Sequence, residues 1–463
     1  MRNQSVPLIM SLVAIVVFGS TITINAQNVA KSCSYSDVQT AVKNAARGDT
    51  VTVPAGTCTW SSSLTLIQGI NLIGAGAGNT VLKNIMGGAN PHIIVQPDST
   101  AISNEETFQI ASFTFDGNNG TGQAIMIYGA ADTGTKPFKN LIIGHNTFQN
   151  FGAGPANGCI YTRGQIRGVI YNNIFDRCNF ILRPLGSDTT TEWSNTAYNN
   201  FSYGSADNLY FEDNTIKYSS PYTSTDTNGA MIQSEQGGRV VARFNLWDTT
   251  NLTVPGGMDS FWDVHGFQNY PGGQTGTMIV EYYDNMLSSP SSVNRLWNHR
   301  GSWGIFFDNT YTGPGTPNPN VDQYNGGCTN QIVPPSTNYD PEVNNTYVFN
   351  NVANGTTVMS MIAGLANACG ISENADWWNY NSSFKGTTGI GRGLKSAIPA
   401  TCTTGVAYWV TNEGSWNTTV SANTSGQFYK CISTNNWQLY YTPYAYPNPL
   451  RTAAPIGLKA VAK

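Results

Sequence analysis

Apolar and polar residues alternate in short runs along most of the chain, a spacing typical of β-strands. From about residue 124 to 310 the runs recur as one unit, made of a strand, a small turn, a second strand and then an asparagine. Such a unit cannot bury its apolar face alone, so we expect the units to stack into a solenoid. The recurring asparagines fall in one column at Asn146, Asn173, Asn214, Asn245, Asn285, Asn309 and Asn351.

A column of asparagines at a fixed turn suits a coiled parallel sheet. Asn tolerates a left-handed backbone there, and its amide can hydrogen-bond to the coils above and below. The column resembles the asparagine ladder of right-handed parallel β-helix proteins of the pectate-lyase-like superfamily, over residues 34–351. The resemblance implies an all-β, right-handed parallel β-helix. It leaves the activity open, because that superfamily holds lyases, hydrolases, epimerases and non-catalytic adhesins.

The two ends of the solenoid are expected to be covered, since an open end exposes apolar core and unpaired strand edges. Residues 35–46 have apolar residues at helical spacing and resemble an N-terminal capping helix. The aromatic-rich residues 356–463 are predicted to form a C-terminal region. We favour a cap, with residues 441–450 lying back along the solenoid, over a carbohydrate-binding appendage. The β-helix with its N-terminal cap then spans residues 27–355.

Composition and the N-terminus bear on location and partners. Charged residues make up 11% of the chain and the net charge is −4, which favours neither nucleic acid nor an anionic membrane as partner. Residues 1–26 have the pattern of a cleaved signal peptide, with Arg2 before an apolar core and a small residue at position 26. No later stretch is expected to span a membrane. We therefore expect a secreted protein, either periplasmic or extracellular.

Eight cysteines follow the signal, and an even number in an exported chain suggests disulfide bonds. Eight cysteines allow 105 pairings, which the sequence does not distinguish. Pairing between neighbours in sequence is our expectation, and no cysteine or histidine spacing suggests zinc. The expected pairs are Cys33–Cys58, Cys159–Cys178, Cys328–Cys369 and Cys402–Cys431.

The first strand of each unit can be aligned as quartets over 125–128, 160–163, 180–183, 232–235, 262–265 and 297–300. Because side chains alternate between faces, the second and fourth residues of each quartet should point outward. His299 is then placed inward. One outward column is predicted to contain Met126, Tyr161, Ile181, Gln233, Asp263 and Asn298, and the other Tyr128, Arg163, Arg183, Glu235, His265 and Arg300.

These two columns concentrate charge on one face. Arginines there suggest an anionic ligand, because the guanidinium group matches carboxylates. A long β-helix face suits an extended polymer, and the resemblance implies a uronate-containing polysaccharide. The predicted substrate-binding residues are Arg163, Tyr161, Tyr128, Gln233 and Asn298.

A polysaccharide lyase is the first hypothesis. β-Elimination removes a proton beside a uronate carboxylate, so that carboxylate must be neutralised while a base takes the proton. His265 is the candidate base, because its reference pKa lies near neutrality. Arg183 and Arg300, or a calcium ion held by Glu235 and Asp263, would neutralise the carboxylate.

Two alternatives remain open from the sequence. Glu235 and Asp263, on adjacent coils, would suit an inverting glycoside hydrolase. A non-catalytic glycan-binding protein or adhesin would instead use the same residues as a salt-bridge ladder between coils. Away from this face, Arg239 and Arg243 are interpreted as solvated charges, and residues 212, 213 and 308 as acids at turns.

Overall fold

Three long parallel sheets dominate the computed structural model. It describes residues 27–88, 90–120, 122–129, 137–152, 158–178, 180–186, 202–223, 232–254, 258–266, 276–301, 303–321, 343–363 and 371–451. The chain visits the sheets in a fixed order, and we name them A, B and C in that order. This is an all-β parallel β-helix, the fold that the resemblance implied.

Each sheet stacks strands of successive coils in parallel, and sheet B ends with one antiparallel pair, Val352–Ala353 and Thr357–Val358. Sheet A consists of Gln27–Val29, Thr50–Val53, Asn71–Gly74, Phe108–Ala111, Phe138–Gly144, Ile166–Tyr171, Leu209–Glu212, Arg239–Arg243, Ile279–Tyr283, Trp303–Phe307, Thr346–Phe349 and Trp377–Asn379. Sheet B consists of Gly56–Trp60, Thr80–Asn84, Thr114–Asp116, Thr147–Phe151, Ile174–Cys178, Thr215–Lys217, Leu246–Asp248, Met286–Ser288, Thr310–Thr312, Val352–Ala353 and Thr357–Val358. Sheet C consists of Leu64–Leu66, Ile93–Val95, Ile125–Tyr128, Gly158–Arg163, Phe180–Pro184, Ile232–Ser234, Trp262–Val264, Trp297–His299, Asn320–Val321 and Ile362–Ala363.

Shorter elements complete the chain. A pair of short strands, Tyr222–Thr223 and Leu252–Thr253, lies beside sheet B. The helices are Tyr35–Asn44, Ser99–Ser103 and the 3-10 turn Lys395–Ala397. The C-terminal sheet consists of Ile390–Gly393, Ala407–Val410, Gln427–Ser433 and Asn436–Tyr441. Within the described ranges no helix is long and apolar enough to cross a membrane.

The predicted asparagine ladder is confirmed. Each ladder amide from Asn146 to Asn309 donates to the side-chain oxygen of the asparagine in the next coil over 2.8–3.2 Å, and Asn351 is the last acceptor. All seven side chains are buried. The expectation that Asn itself is left-handed is wrong, because the residue just before it takes that conformation, as at Asp213 with φ 54° and Phe244 with φ 55°. The ladder therefore joins consecutive A-to-B turns through buried hydrogen bonds.

Inward side chains of the three sheets form one continuous core. Phenylalanines stack from coil to coil in sheet B, with ring centroids 5.3 Å apart between Phe115 and Phe148 and 4.8 Å between Phe148 and Phe175. His299 points inward as predicted and packs edge-on against Phe306, fully buried. The predicted N-terminal helix packs on the first coil and buries Val38.

The C-terminal region covers the outer face of sheet A. Outward aromatic residues of that sheet, such as Phe307 and Phe349, pack against Trp409 at ring-centroid distances of 5.1 and 5.4 Å. The segment 441–450 lies back along the solenoid, and Tyr441 donates a 2.8 Å hydrogen bond to Glu281. The covering therefore extends along the side of the solenoid. Parallel pairing also continues past residue 355, through the strands Ile362–Ala363 and Trp377–Asn379.

The interpretation of Arg239 and Arg243 as solvated charges is wrong. Arg243 is completely buried and pairs with Glu212 over 2.6 Å, while Arg239 is 6% exposed. The remaining donors of Arg243 reach the carbonyl oxygens of Tyr444 and Ala445 at 2.6 and 2.8 Å. Arg243 lies under the C-terminal segment because sheet A is covered there by a part of the chain about 200 residues away.

Three of the four expected disulfide bonds are confirmed, at Cys33–Cys58, Cys159–Cys178 and Cys402–Cys431. The fourth, Cys328–Cys369, lies outside the described residues, as does the predicted signal peptide. The second bond joins the sheet C strand Gly158–Arg163 to the end of the sheet B strand Ile174–Cys178, which follows it in the next coil.

Candidate functional site

The two predicted columns lie on the outer face of sheet C, with one change of register. Ile160 pairs with Leu182 and Tyr161 with Arg183, two residues away from the predicted alignment. Arg183 therefore belongs to the column of Tyr161, Gln233 and Asp263. Leu185, bridged to Glu235, takes the predicted place of Arg183, and Ile181 is buried in the core, where it was expected outside. A shift of two residues keeps inward and outward faces unchanged, so the apolar pattern did not reveal it.

Five charged or titratable side chains on this face form one chain of contacts. Arg183 Nη2 lies 2.6 Å from Glu235 Oε1, and Glu235 Oε2 lies 3.9 Å from His265 Nδ1. Asp263 Oδ2 lies 2.7 Å from His265 Nε2 on the other side of the ring. Arg300 Nε then donates to Asp263 Oδ1 over 3.0 Å. The predicted catalytic residues are thus brought together across four coils, and we call them the strip network.

The strip network is mostly buried yet keeps some accessible surface. Side-chain exposure is 6% for Glu235, 10% for His265 and 11% for Asp263, and rises to 18% at Arg183. Ionic contacts of this degree of burial are screened by salt much less than surface contacts. The network therefore combines strong local fields with a partly accessible imidazole.

The electrostatics of Asp263 favour its anion. Burial opposes ionisation of this carboxyl, but the neighbouring His265 and Arg300 outweigh burial and hold its pKa far below the usual range. The carboxylate accepts hydrogen bonds from both neighbours. Asp263 is therefore an orienting anion and is unsuited to the role of a general acid.

Asp263 also determines which nitrogen of His265 carries the proton. A carboxylate only accepts hydrogen bonds, so Nε2 of the neutral ring is the protonated nitrogen and Nδ1 holds the lone pair. The side-chain amide of Gln233 lies 2.7 Å from the same Nε2, and it accepts from the Nε2–H when the amide group presents its oxygen to the ring. Nδ1 faces Glu235 at 3.9 Å, where a second carboxylate would stabilise the imidazolium formed by proton uptake.

The predicted substrate-binding residues flank the strip network. Tyr161 and Arg163 lie on the strand before Arg183, and Tyr128 pairs with Arg163 one coil earlier. Arg163 is exposed and both tyrosines are half-buried. Burial raises the pKa of Tyr161 against the opposing effect of the Arg183 and Arg163 guanidinium groups. Arg183 pairs with Tyr161 across the strands, and Arg163 lies two residues further along the same strand.

Asn298 lies on the opposite side of the strip network, paired with Asp263. It is 5% exposed, and within the described part of the chain its Oδ1 atom has no hydrogen-bond partner. The next residue of the column is Asn320, which sequence analysis missed. Its strand lies in a stretch rich in Pro, Gly and Asn, where the period-two signal covers only two residues.

The predicted calcium ligands do not fit a metal well. Glu235 accepts two hydrogen bonds from Arg183, and Asp263 is engaged by Arg300 and His265. Calcium takes six to eight oxygen ligands, and two guanidinium groups beside the same carboxylates would repel it. Among the described residues no group of three or more His, Cys, Asp or Glu could hold a metal ion. We derive no chemical step through a metal.

Comparison with known proteins gives fold-level likeness only. No family model and no curated protein matches the chain. A solved structure of ORF18 from Geobacillus virus E2 is 14% identical, with 71% of this chain and 58% of that chain covered and a TM-score of 0.34. The A-module of the mannuronan C-5 epimerase AlgE6 from Azotobacter vinelandii is 14% identical, covering 74% and 88%, with a TM-score of 0.41.

A third solved structure, the alginate lyase from Paenibacillus sp. str. FPU-7, is 15% identical and covers 74% of this chain and 99% of that chain, with a TM-score of 0.32. At these identities the likeness concerns the β-helix fold and not the activity.

Proposed function

We propose that the chain is an exported lyase that cleaves a uronate-containing polysaccharide by β-elimination at the outer face of sheet C. The observation that supports the proposal is the position of His265, whose ring lies between two carboxylates with one arginine beyond each. This arrangement supplies an oriented base and positive charge on both sides of it. Disulfide bonds fit an exported protein.

The proposed reaction uses these groups in order. His265 Nδ1 takes the proton from the carbon that bears the uronate carboxylate. The electron pair of that C–H bond forms a double bond to the neighbouring carbon, and the bond from that carbon to the glycosidic oxygen breaks. The oxygen leaves with the electron pair of that bond and takes up a proton from water. Negative charge develops on the uronate as the proton leaves, and this charge makes the largest contribution to the barrier. Arg183 or Arg300 would lower the barrier by neutralising the carboxylate.

The hydrolase alternative is less well supported by the geometry. An inverting hydrolase needs one protonated carboxyl group as general acid and one carboxylate as base. Asp263 is held ionised by His265 and Arg300, and Glu235 accepts two hydrogen bonds from Arg183. Asp263 is therefore not prepared to donate a proton, and Glu235 is engaged as a hydrogen-bond acceptor. A base with two flanking cations suits elimination better.

A glycan-binding protein without turnover is the second candidate. The observation that favours it is that each charged member of the strip network contacts a member of opposite charge. Such a ladder would hold neighbouring coils together without chemistry, and structural ion pairs of this kind resemble active sites. The two candidates differ in whether His265 is needed for product formation.

The deciding experiment measures product from pectate, alginate, glucuronan and neutral glycans. A lyase produces an unsaturated sugar detected by ultraviolet absorbance, whereas a hydrolase produces reducing ends without that absorbance. Replacing a general base lowers the rate by about 10²–10⁴. We expect His265→Ala to lose ultraviolet product to this extent and still to fold and unfold in one cooperative transition.

His145→Asn is the matched control. His145 lies at an A-to-B turn with φ 59°, a conformation that Asn accepts, and it is outside the strip network. The control should keep wild-type turnover. Glycan binding without product from any substrate would refute the lyase and favour the binding protein, and reducing ends without absorbance would favour the hydrolase. Activity that survives a chelator would remove calcium from the mechanism.

A further inference from the structure

The imidazole ring of His265 is contacted from two neighbouring strands of sheet C. Its own strand supplies Asp263, whose Oδ2 atom lies 2.7 Å from Nε2. The preceding strand of the sheet supplies Gln233, whose side-chain amide lies 2.7 Å from the same nitrogen. Glu235 follows that strand, and its Oε2 atom lies 3.9 Å from Nδ1. Gln233 and Glu235 therefore flank the ring, one at each nitrogen.

The register of the sheet explains why Gln233 reaches Nε2. Gln233 pairs with Asp263, so the two side chains lie in the same outward column on adjacent strands. Adjacent strands are about 4.8 Å apart, a spacing that lets both side chains contact one atom placed between them. Nε2 of His265 is that atom, because it lies 2.7 Å from each side chain. One ring nitrogen therefore has side-chain partners from two coils.

The contact with Asp263 determines how the Gln233 amide is turned. A carboxylate can only accept a hydrogen bond, so Nε2 carries the proton of the neutral ring. An amide N–H group that faced the same nitrogen would meet a second donor. The orientation that forms a hydrogen bond presents the amide oxygen, and the two acceptors then share the Nε2 proton. Because the amide is neutral, it adds this contact without placing a third negative charge beside the ring.

We propose that Gln233 is a positioning residue for the His265 ring, and not the substrate-binding residue that the sequence predicts. Rotation of the ring about its Cβ–Cγ bond would carry Nδ1 away from the proton that it takes up, and proton transfer depends on this placement. A second acceptor at Nε2 opposes the rotation. The catalytic consequence rests on the proposed function, whereas the hydrogen bond itself can be measured without turnover.

The first test separates the two roles by steady-state kinetics on whichever of pectate, alginate and glucuronan gives ultraviolet product. Gln233→Met has a similar length and no amide, and Gln233→Asn keeps the amide on a side chain one carbon shorter. Both should lower kcat by about tenfold, because the ring loses one hydrogen bond. KM should change by less than about twofold, because the lost contact does not bind the sugar. Gln149→Met is the matched control, since Gln149 lies on sheet B and donates to Asp116 over 3.1 Å. It should keep both constants.

The second test observes the ring directly by nitrogen-15 NMR of the imidazole groups. The chain has four histidines, and the spectrum of His265→Ala identifies the signals of this ring. Exchange of the Nε2 proton with water should accelerate by about tenfold in Gln233→Met and stay unchanged in Gln149→Met.

A raised KM with unchanged kcat in the Gln233 variants would overturn the positioning role and restore substrate binding. Unchanged proton exchange in Gln233→Met would also overturn it, whatever the kinetics. A wild type that forms no unsaturated product would refute the lyase. Accelerated exchange in Gln233→Met would then still support Gln233 as the residue that positions the ring.

Discussion

Two clusters of arginines and acids lie on two faces of the same solenoid, and they differ in what covers them. On sheet A, Arg243 and Glu212 are completely buried beneath the C-terminal segment. On sheet C, Arg183 keeps 18% and Arg300 12% of the side-chain surface exposed. Both clusters join neighbouring coils through side chains that the sequence places on outward positions.

The difference lies in how the remaining polar atoms are used. Carbonyl oxygens of Tyr444 and Ala445 accept from Arg243, and Glu212 also accepts from the backbone of Asn448. Because backbone groups of the C-terminal segment bind these charged side chains, the cluster holds that segment against sheet A. The strip network instead contains an imidazole with some access to solvent. The cluster on sheet A is covered by the chain and has a structural role, whereas the strip network is partly accessible and is a candidate reaction centre.

The largest expected effect comes from removing one charge of the covered cluster. Glu212→Gln leaves Arg243 buried without its counter-ion, which should lower the unfolding free energy by about 3 kcal/mol or more. The matched change Glu235→Gln should lower it by less, about 1–2 kcal/mol, because Arg183 keeps part of its surface exposed and can turn towards water. Urea denaturation measures both. Equal losses would show that the strip network is sealed like the covered cluster.

The two faces should also respond to pH with opposite sign. Burial raises the pKa of Glu281 on sheet A to about 7, although hydrogen bonds from Gly204 and Tyr441 oppose the shift. The folded state then holds a proton that the unfolded state has lost. Its stabilising contribution is present below about pH 4.5 and is lost as pH rises through 7, by about 3 kcal/mol in total. Asp263 behaves oppositely, because its lowered pKa adds stability that is lost as pH falls below about 3.8.

Comparing wild type with Glu281→Gln isolates the first effect. The unfolding free energy of the wild type should fall relative to that of the variant by about 3 kcal/mol between pH 4.5 and 8, since only the wild type gains a buried charge. Asp263→Asn is the corresponding variant on sheet C. Its unfolding free energy should decrease less than that of the wild type as the pH falls below about 4. A constant difference between wild type and Glu281→Gln across this range would contradict the assignment.

The fold could be predicted from the sequence because its signals are local. Alternation within short strands and the spacing of Asn146 to Asn351 specify coils that repeat, and the ladder bonds follow from that spacing. The position of Arg183 could not be fixed in the same way. Alignments that differ by two residues bury the same faces, so only backbone pairing distinguishes Leu182 from Phe180 as the partner of Ile160.

The covered cluster was missed for another reason. Arg243 and Glu212 occupy outward positions of sheet A, and nothing near them in sequence shows that the chain returns over them. The available signal was the aromatic character of neighbouring outward positions, such as Tyr210 and Tyr283, because an outward aromatic face usually meets another part of a protein. The segment that covers the outer face of sheet A is distant in sequence. The alternation of apolar and polar residues identifies only the side chains that face the core.

A smaller effect is expected at the ladder, which supports both faces equally. Asn245→Ala removes the acceptor of the Asn214 amide groups and the donor to Asn285 and to the Phe211 carbonyl. The unfolding free energy should fall by about 1–3 kcal/mol, because buried polar groups lose their partners. Turnover per folded molecule should stay at the wild-type level, as measured by ultraviolet product. A variant with the wild-type melting temperature would contradict the structural role of the ladder.

The smallest effect comes from removing one hydroxyl group on each face. Tyr446→Phe deletes the hydrogen bonds from the phenol to Asp213, at 2.8 and 3.0 Å, beneath the returning C-terminal segment. It should lower the unfolding free energy by about 1 kcal/mol. Tyr161→Phe, on the half-buried strip, should change it by less than about 0.5 kcal/mol. The reverse order would mean that the strip is held as rigidly as the covered face, and would make a purely structural role for its ion pairs the better explanation.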